Sequence, residues 1–453
     1  MKLYYNVSDR PKTGQLIVFA LQQLLAIITA TLVVPVIINQ TTGTTNMSPA
    51  AALFGAGVGT LIYVLFTKAK SPVFLGSSFA FIGSMVAAFA GGVSVALGYL
   101  GLIIGATLAG LVYVVIAIVV KLVGVKWISK LMPAVVIGPT VALIGLSLSG
   151  NAVSSLQTAN AGGHTLVAVL CGLVTLGVTM AFATYGKKMG KLIPFIFGIL
   201  AGYAFSAVLT FIGKAAGIDA LLISDFSALT QNFENITLES FITLGVDHFV
   251  FVTALGGFPE ISGAYLGTIA VAYVPVAFVV FAEHLADHKN LSSIIEKDLL
   301  EDPGLSRTLL GDGVGTIAGA FFGGCSNTTY GESVGCVAIT RNASIYSIIY
   351  AAVGAMILSF FTPFVAFVNT IPDCVMGGVC MALYGFIAVS GLKMLQGVDL
   401  NKNQNLFVVS VILIAGVGGL VLTFGRITLT SIAGSLILGI LANLMLSRAK
   451  DEE

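Results

Sequence analysis

Charged side chains make up only 9% of the 453 residues, and the two signs nearly cancel, at 21 Lys and Arg against 20 Asp and Glu. So balanced a chain offers no global field for nucleic acid as a partner. Cysteine is sparse as well: Cys171, Cys325, Cys336, Cys374 and Cys380 are odd in number, sit in or beside apolar runs and show no CxxC spacing. That pattern excludes a disulfide framework and a zinc site, and the five read as packing residues. The start, MKLYYNVSDRPKTGQ, lacks the apolar stretch and small-residue cleavage site of a secretory signal, so the whole chain is expected to be mature protein.

What is present is apolar. The chain is 57% hydrophobic and contains 53 Gly, against roughly 45–50% apolar usage in soluble domains. Its apolar runs last about 17 to 25 residues, enough to cross a hydrocarbon core roughly 30 Å thick. A barrel would show alternating segments of about 10 residues instead. The expected fold is therefore an all-α polytopic membrane protein. Its spans lie near 15–38, 49–67, 72–90, 95–120, 131–150, 165–185, 191–213, 263–288, 308–324, 326–341, 344–367, 372–391, 404–424 and 428–447, fourteen in all.

Cations follow the even-numbered spans: Lys68 and Lys70; Lys121, Lys126 and Lys130; Lys187, Lys188 and Lys191; Lys289, Lys297 and Arg307; Arg341; Lys393 and Lys402; Arg448 and Lys450. Odd-numbered breaks hold almost none, Lys214 and Arg426 excepted. Because Lys and Arg are retained in the cytoplasm, both termini are expected there, in a multi-pass protein of the cell membrane.

The longest connection, 214–262, is acidic, with Asp219, Asp225, Glu234, Glu239, Asp247 and Glu260, and divides the chain into seven spans on either side. MPAVVIGPTVALIG from Met132 and IPDCVMGGVCMALYG from Ile371 share Pro, Val and Gly at equal spacing, at Pro133, Val136 and Gly138 and at Pro372, Val375 and Gly377. A shift of seven spans is odd, so repeats related by it lie inverted in the membrane, as in many secondary transporters. Spans 3 and 10 open on SPVFLGSSFAFIG and GGCSNTTYGESVG. They read as short extended segments leading into half-helices, because irregular backbone at membrane depth is tolerated only where protein or a cavity satisfies it. Two half-helix N-termini would then aim their N–H groups at a common pocket.

Ionisable groups at membrane depth cost roughly 2.5–3.5 kcal/mol on insertion scales and mark function by default. Few residues qualify. Glu283 and Asp287 in FAEHLADH share a helix face, with His284 and His288 beside them, and Glu332 stands where the second half-helix starts. Beside Lys289, His288 reads as an interfacial residue at the cytoplasmic edge. No HExxH motif is present, and no metal or other cofactor is expected.

LGSSFAFIG, FAEH and GGCSNTTYGESVGCVAITR together resemble the nucleobase–ascorbate transporters, or nucleobase:cation symporters of type 2, over nearly the whole chain. The family signature is met by Glu332, Gly335, Thr340 and Arg341, with Ser333 where Asn is usual. Within the family, NTTYGE and AEH are most similar to bacterial uracil permeases and the wider uracil/xanthine group.

The resemblance implies two inverted sevens, a core domain (1–130 and 263–367), a gate domain (131–213 and 368–453), an extracellular loop (214–262) and a homodimer formed through the gate. It also implies that Glu283 and Glu332 hold a base, that backbone amides of Phe79 and Gly331 meet its carbonyl oxygens, and that Ser78 and Tyr330 lie alongside. Proton coupling would involve Glu283, Asp287, His284 and Glu332. Asp287 stands where uracil permeases carry His, and Gln22–Gln23 where the family often shows Gln-His.

A uracil edge presents an N–H between two C=O groups, so an acceptor flanked by donors suits it. A dry pocket also favours the neutral form of a carboxyl group, which links protonation to occupancy. The expected function is uracil import by proton symport, with Na⁺ the alternative coupling ion. The rival readings are a xanthine or other purine importer, an anion carrier or channel of the sulfate-carrier fold, and an intramembrane enzyme. Carboxylates in the cavity disfavour anions, and no nucleophile–base pair favours an enzyme. Close packing between core and gate is expected at Gly138, Pro139, Gly377 and Gly378.

Overall fold

The computed structural model of the protein describes residues 3–446 except 45, 125–126, 128–132, 188, 244–248, 425–426 and 430. Lys126, Lys130, Met132, Lys188, Asp247, Arg426, Arg448 and Lys450 thus lie outside the described residues.

The first half runs through α1 (Thr13–Thr42), α2 (Pro49–Phe66), β1 (Leu75–Ser77), α3 (Ile82–Ala88), α4 (Val95–Val123), α5 (Ala134–Ser147), α6 (Ser149–Leu156), α7 (Thr165–Tyr185), α8 (Met189–Leu192) and α9 (Pro194–Ala216). After α10 (Ser227–Glu234) and α11 (Val250–Ala254), the second half holds α12 (Gly263–Ile295), α13 (Leu305–Gly323), β2 (Asn327–Thr329), α14 (Gly331–Thr340), α15 (Ile345–Ser359), α16 (Thr362–Asn369), α17 (Asp373–Met394) and α18 (Asn403–Val417). A hairpin of β3 (Leu422–Phe424) and β4 (Ile427–Leu429) then leads into α19 (Ser431–Leu446). Among the described residues, eight helices are long and apolar enough to cross a membrane, and three shorter apolar helices accompany them. The protein is a mostly helical, multi-pass membrane protein.

Local chemistry sets the helix ends. Ser48, Ser94 and Ser262 each accept an N–H from the first turn of α2, α4 and α12, at 3.1–3.2 Å. Pro49 occupies the first position of α2, where no N–H is needed. Gly43 closes α1 with φ 67°, a left-handed cap that suits glycine.

Three apolar segments differ from the sequence expectation. The helix expected to end near 288 continues to Ile295, so His288 is buried, 1% exposed, rather than interfacial. Its apolar pattern fades before its helix does, and His284 and His288 beyond that point hide against α13 and α2. The span expected at 344–367 is broken between α15 and α16. There the 214–262 connection docks through Thr243 N to Phe360 O and Thr362 N to Phe241 O, both 3.0 Å. The span expected at 404–424 stops being helical after Val417, and its end is the strand β3.

The centre is built on backbone-to-backbone packing of α2 against α13. A Cβ on Gly55 would meet Gly319 O at 2.5 Å and Gly323 N at 3.1 Å, and one on Gly59 would meet Gly315 O at 2.8 Å. Only small residues let helix axes approach this closely in a membrane. Gly377 and Gly378 face similar limits, with Leu156 Cα at 2.7 Å and Thr175 Cβ at 3.0 Å, and Gly138 meets Gly391 O at 3.0 Å. These neighbours lie within the expected gate segments, so the close packing expected between core and gate is found inside the gate instead.

The extended segments lie against this centre. β1 and β2 pair antiparallel, Leu75 with Thr329, Gly76 with Thr328 and Ser77 with Asn327. Tyr330 N to Phe74 O (3.1 Å) and Ser78 N to Ser326 O (2.8 Å) prolong the ladder. Each outer edge is closed by a threonine: Thr60 Oγ1 accepts Leu75 N at 2.9 Å, and Thr316 Oγ1 donates to Asn327 O at 2.6 Å. An open edge would leave polar backbone unsatisfied at membrane depth. The N-terminal segment fastens the far end of α14, with Tyr4 N donating to Arg341 O (2.8 Å) and Ala343 N to Tyr5 O (2.9 Å).

Candidate functional site

A cavity of about 420 Å³ lies where the two strands give way to their helices. One wall carries Glu283, Ala286 and Asp287 of α12, Phe79 just after β1, Thr328 and Thr329 of β2, and Tyr330 to Glu332 at the start of α14. Facing them are Val141 of α5, Pro194 and Phe195 of α9, and Leu383, Phe386 and Ile387 of α17. Lys191, Ser390 and Met394 line it toward the end of the bundle that bears Lys187 and Lys393.

Four-residue spacing puts Glu283 and Asp287 on one face of α12. Asp287 Oδ2 accepts from Thr329 Oγ1 at 2.8 Å, which joins α12 to β2. Glu332 lies in the first turn of α14, after Gly331, where N–H groups have no partner within the helix. A Cβ added at Gly331 would meet nothing closer than Asp287 Oδ1, at 3.6 Å, so the backbone there faces the cavity bare. Phe79 stands edge-on to Tyr384 of α17, at 6.2 Å and 76°. The arrangement offers carboxylate acceptors, amide donors and a flat aromatic face within one chamber.

Of the residues singled out from the sequence, Glu283, Glu332, Asp287, Phe79, Tyr330 and Gly331 meet at this cavity. Ser78 and His284 are not on its walls. Ser78 is wholly buried, with its amide held by Ser326 O. Tyr330 lines the cavity, but its hydroxyl turns back to donate to Ser77 O at 2.8 Å.

His284 belongs to a second, closed network. Its Nδ1 is 2.7 Å from Asp312 Oδ2 and its Nε2 is 3.0 Å from Thr308 Oγ1, both on α13. The His284 and His288 rings stack at 4.0 Å. His288 Nδ1 donates to His284 O at 2.8 Å, and its Nε2 lies 2.6 Å from Tyr63 OH. Asp312, fully buried, is a member of this network that no motif marks. Its signal was an acid inside an otherwise uncharged, glycine-rich LLGDGVG.

Two of the three departures from the family pattern, at Gln23 and Ser333, touch each other. Ser333 Oγ accepts from Phe74 N at 3.0 Å and donates to Gln23 Oε1 at 3.1 Å. Gln23 is 1% exposed and Ser333 fully buried. The pair ties α1 to both crossing segments, next to Glu332.

A multi-pass bundle with a carboxylate-bearing cavity between crossed half-helices has the architecture of a membrane carrier. The chain is matched over residues 14–424 by the model of the permease family, and it belongs to that family. A uracil permease of Bacillus caldolyticus is 38% identical over 445 residues, covering 97% of this chain and 94% of the relative. The uracil permease of Escherichia coli K12 is 35% identical over 439 residues, covering 96% and 92%. Among solved structures, the transmembrane domain of a cyanobacterial bicarbonate transporter, BicA, superposes with a TM-score of 0.61 at 14% identity, covering 97% of this chain and 99% of that one. Murine solute carrier 26 family member A9, an anion transporter, gives 0.64 at 12% identity, covering 97% and 69%. At such identities the likeness concerns the fold alone.

Proposed function

We propose that this permease imports uracil across the cell membrane by proton symport. The observation that carries the reading is the convergence of Glu283, Glu332 and the bare start of α14 on one cavity. An acceptor flanked by donors fits the N–H and two C=O groups of the uracil edge, and Phe79 supplies a face for the ring. Three carboxylates share the chamber, so binding a proton relieves their mutual repulsion, and this couples H⁺ to an uncharged cargo. The same charge disfavours an anion as cargo, despite the fold shared with anion transporters.

In this reading, fourteen spans form two inverted sevens. The core (1–130 and 263–367) moves against the gate (131–213 and 368–453), both termini face the cytoplasm, and two copies meet through their gates. The antiparallel pairing of 75–77 with 327–329 supports the inversion, since an in-plane twofold axis brings equivalent segments together in opposite directions.

A chamber of about 420 Å³ admits a purine as well as a pyrimidine, so competition is the deciding experiment. Unlabelled uracil is expected to suppress uptake of radiolabelled uracil strongly, with xanthine and uric acid weak, and a protonophore is expected to abolish accumulation. Suppression by xanthine at lower concentration than uracil would reassign the cargo, and indifference to the protonophore would remove proton coupling.

The Gln23–Ser333 pair gives a second expectation. Ser333→Asn alone places a larger side chain between Gln23 and Phe74 and is expected to lower uptake about ten-fold, in line with roughly 1–3 kcal/mol for a disturbed buried hydrogen bond. Combined with Gln23→His, which reinstates the family's usual pairing, uptake per amount of protein in the membrane should recover. Equal uptake by the single and double variants would show that the two positions act independently.

A further inference from the structure

We propose that Gln40 and Asp373 form a latch that holds the cavity shut on the face opposite its cation-bearing end, and that this latch opens during each transport cycle. The inference rests on the division into core and gate given above. Gln40 and Thr41 lie at the end of α1, and three side-chain hydrogen bonds join them to the other domain. Gln40 Nε2 donates to Asp373 Oδ1 at 2.8 Å, Ser155 Oγ donates to Gln40 Oε1 at 2.7 Å, and Asn151 Nδ2 donates to Thr41 Oγ1 at 3.2 Å. The acceptor is held in place by its own domain. Asn160 Nδ2 donates to Asp373 Oδ2 at 3.0 Å, and Asp373 N donates back to Asn160 Oδ1 at 2.7 Å. As the first residue of α17, Asp373 also places its negative charge at a helix N-terminus, where it is favoured.

Position gives this cluster its role. α17 runs from Asp373 at the latch to Met394 on the cavity lining, so the two are about 30 Å apart at 1.5 Å per residue. Along α1, Ala26 lines the cavity, and Gln40 is about 20 Å further on by the same rise. The cavity is therefore lined toward one face by Lys191 and Met394, and the hydrogen bonds between the domains lie toward the opposite face. Hydrogen bonds suit a contact that must release: once parted, each group bonds water instead, so the net strength per bond is modest.

The test uses the full-length protein in intact cells and does not depend on the cargo. Ala152 on α6 is 2% exposed, between Asn151 and Ser155, and Ala152→Cys places a thiol under the latch. The parent, whose five cysteines are buried, gives the background for labelling with a membrane-impermeant maleimide. Gln40→Glu sets a second carboxylate against Asp373 and is expected to speed labelling about ten-fold. Adding Asp373→Asn, which returns a donor to the pair, is expected to restore the slow rate, a rescue that a misfolded variant would not show. Labelling that ignores Gln40→Glu, or a double variant as fast as the single one, would overturn the latch. If labelling follows the latch while uracil is neither bound nor carried, only the proposed cargo fails.

Discussion

Glu283→Gln is expected to abolish uracil uptake and to weaken uracil binding to the purified protein by about a hundred-fold, while leaving the amount of folded protein in the membrane near that of the parent. The substitution keeps the side chain's volume and removes its charge. A carboxylate accepts at both oxygens, whereas an amide turned the wrong way sets N–H against the N–H of the base. Hydrogen bonds to a charged group contribute roughly 1.5–3 kcal/mol, and a site built to bond a polar edge discriminates more strongly still when that bond is lost. Glu283 lies on the cavity wall and takes no part in the buried His284–Asp312 network, so folding is spared. Isothermal titration with uracil measures the effect. Unchanged binding would remove Glu283 from the site, and improved flux of bicarbonate or chloride would revive the anion reading.

Gly55→Val should have the opposite signature: little or no folded protein, from a residue remote from any ligand. A Cβ there would stand 2.5 Å from a main-chain oxygen of α13, and main chain in a packed bundle cannot rotate aside as a side chain can. Overpacking in cores costs about 1–3 kcal/mol when side chains absorb it, and the cost here should exceed that range. Gly385→Ala is the control. Gly385 lies within α17 with nothing inside 4 Å of its added Cβ, so the change should be neutral or stabilising by up to about 1 kcal/mol. Fluorescence-detected size-exclusion of detergent extracts, followed over a temperature series, separates the two. A Gly55→Val variant as heat-resistant as the Gly385→Ala variant would show that α2 and α13 can move apart.

Much of the architecture was legible because lipid imposes one rule, that apolar runs of sufficient length become helices. The rule served well for α2, α7 and α9, whose expected and observed limits differ by no more than three residues. It weakened where protein replaces lipid as the surroundings. α12 could keep His284 and His288 buried because Tyr63, Thr308 and Asp312 from other helices satisfy them, and no linear pattern announces partners so distant in the chain.

For the candidate site, Glu283, Glu332, Phe79 and Gly331 were found from their chemistry and their likeness to a known motif. The facing wall on α9 and α17, with Phe195, Phe386 and Ser390, was not, since ordinary helix residues without charge carry no mark of the cavity they face. The contact between Gln23 and Ser333 was also hidden, since the two positions lie 310 residues apart in the chain and nothing local in either one points to the other.

The crossed strands bear on how the protein is made. Leu75 to Ser77 leave the ribosome roughly 250 residues ahead of their partners, an interval on the order of ten to fifty seconds at usual rates of synthesis. Throughout that time the nascent N-terminal half has an unmatched backbone edge that bare hydrocarbon will not solvate. The first half therefore completes its backbone hydrogen bonding only once Asn327 to Thr329 of the second half are in place.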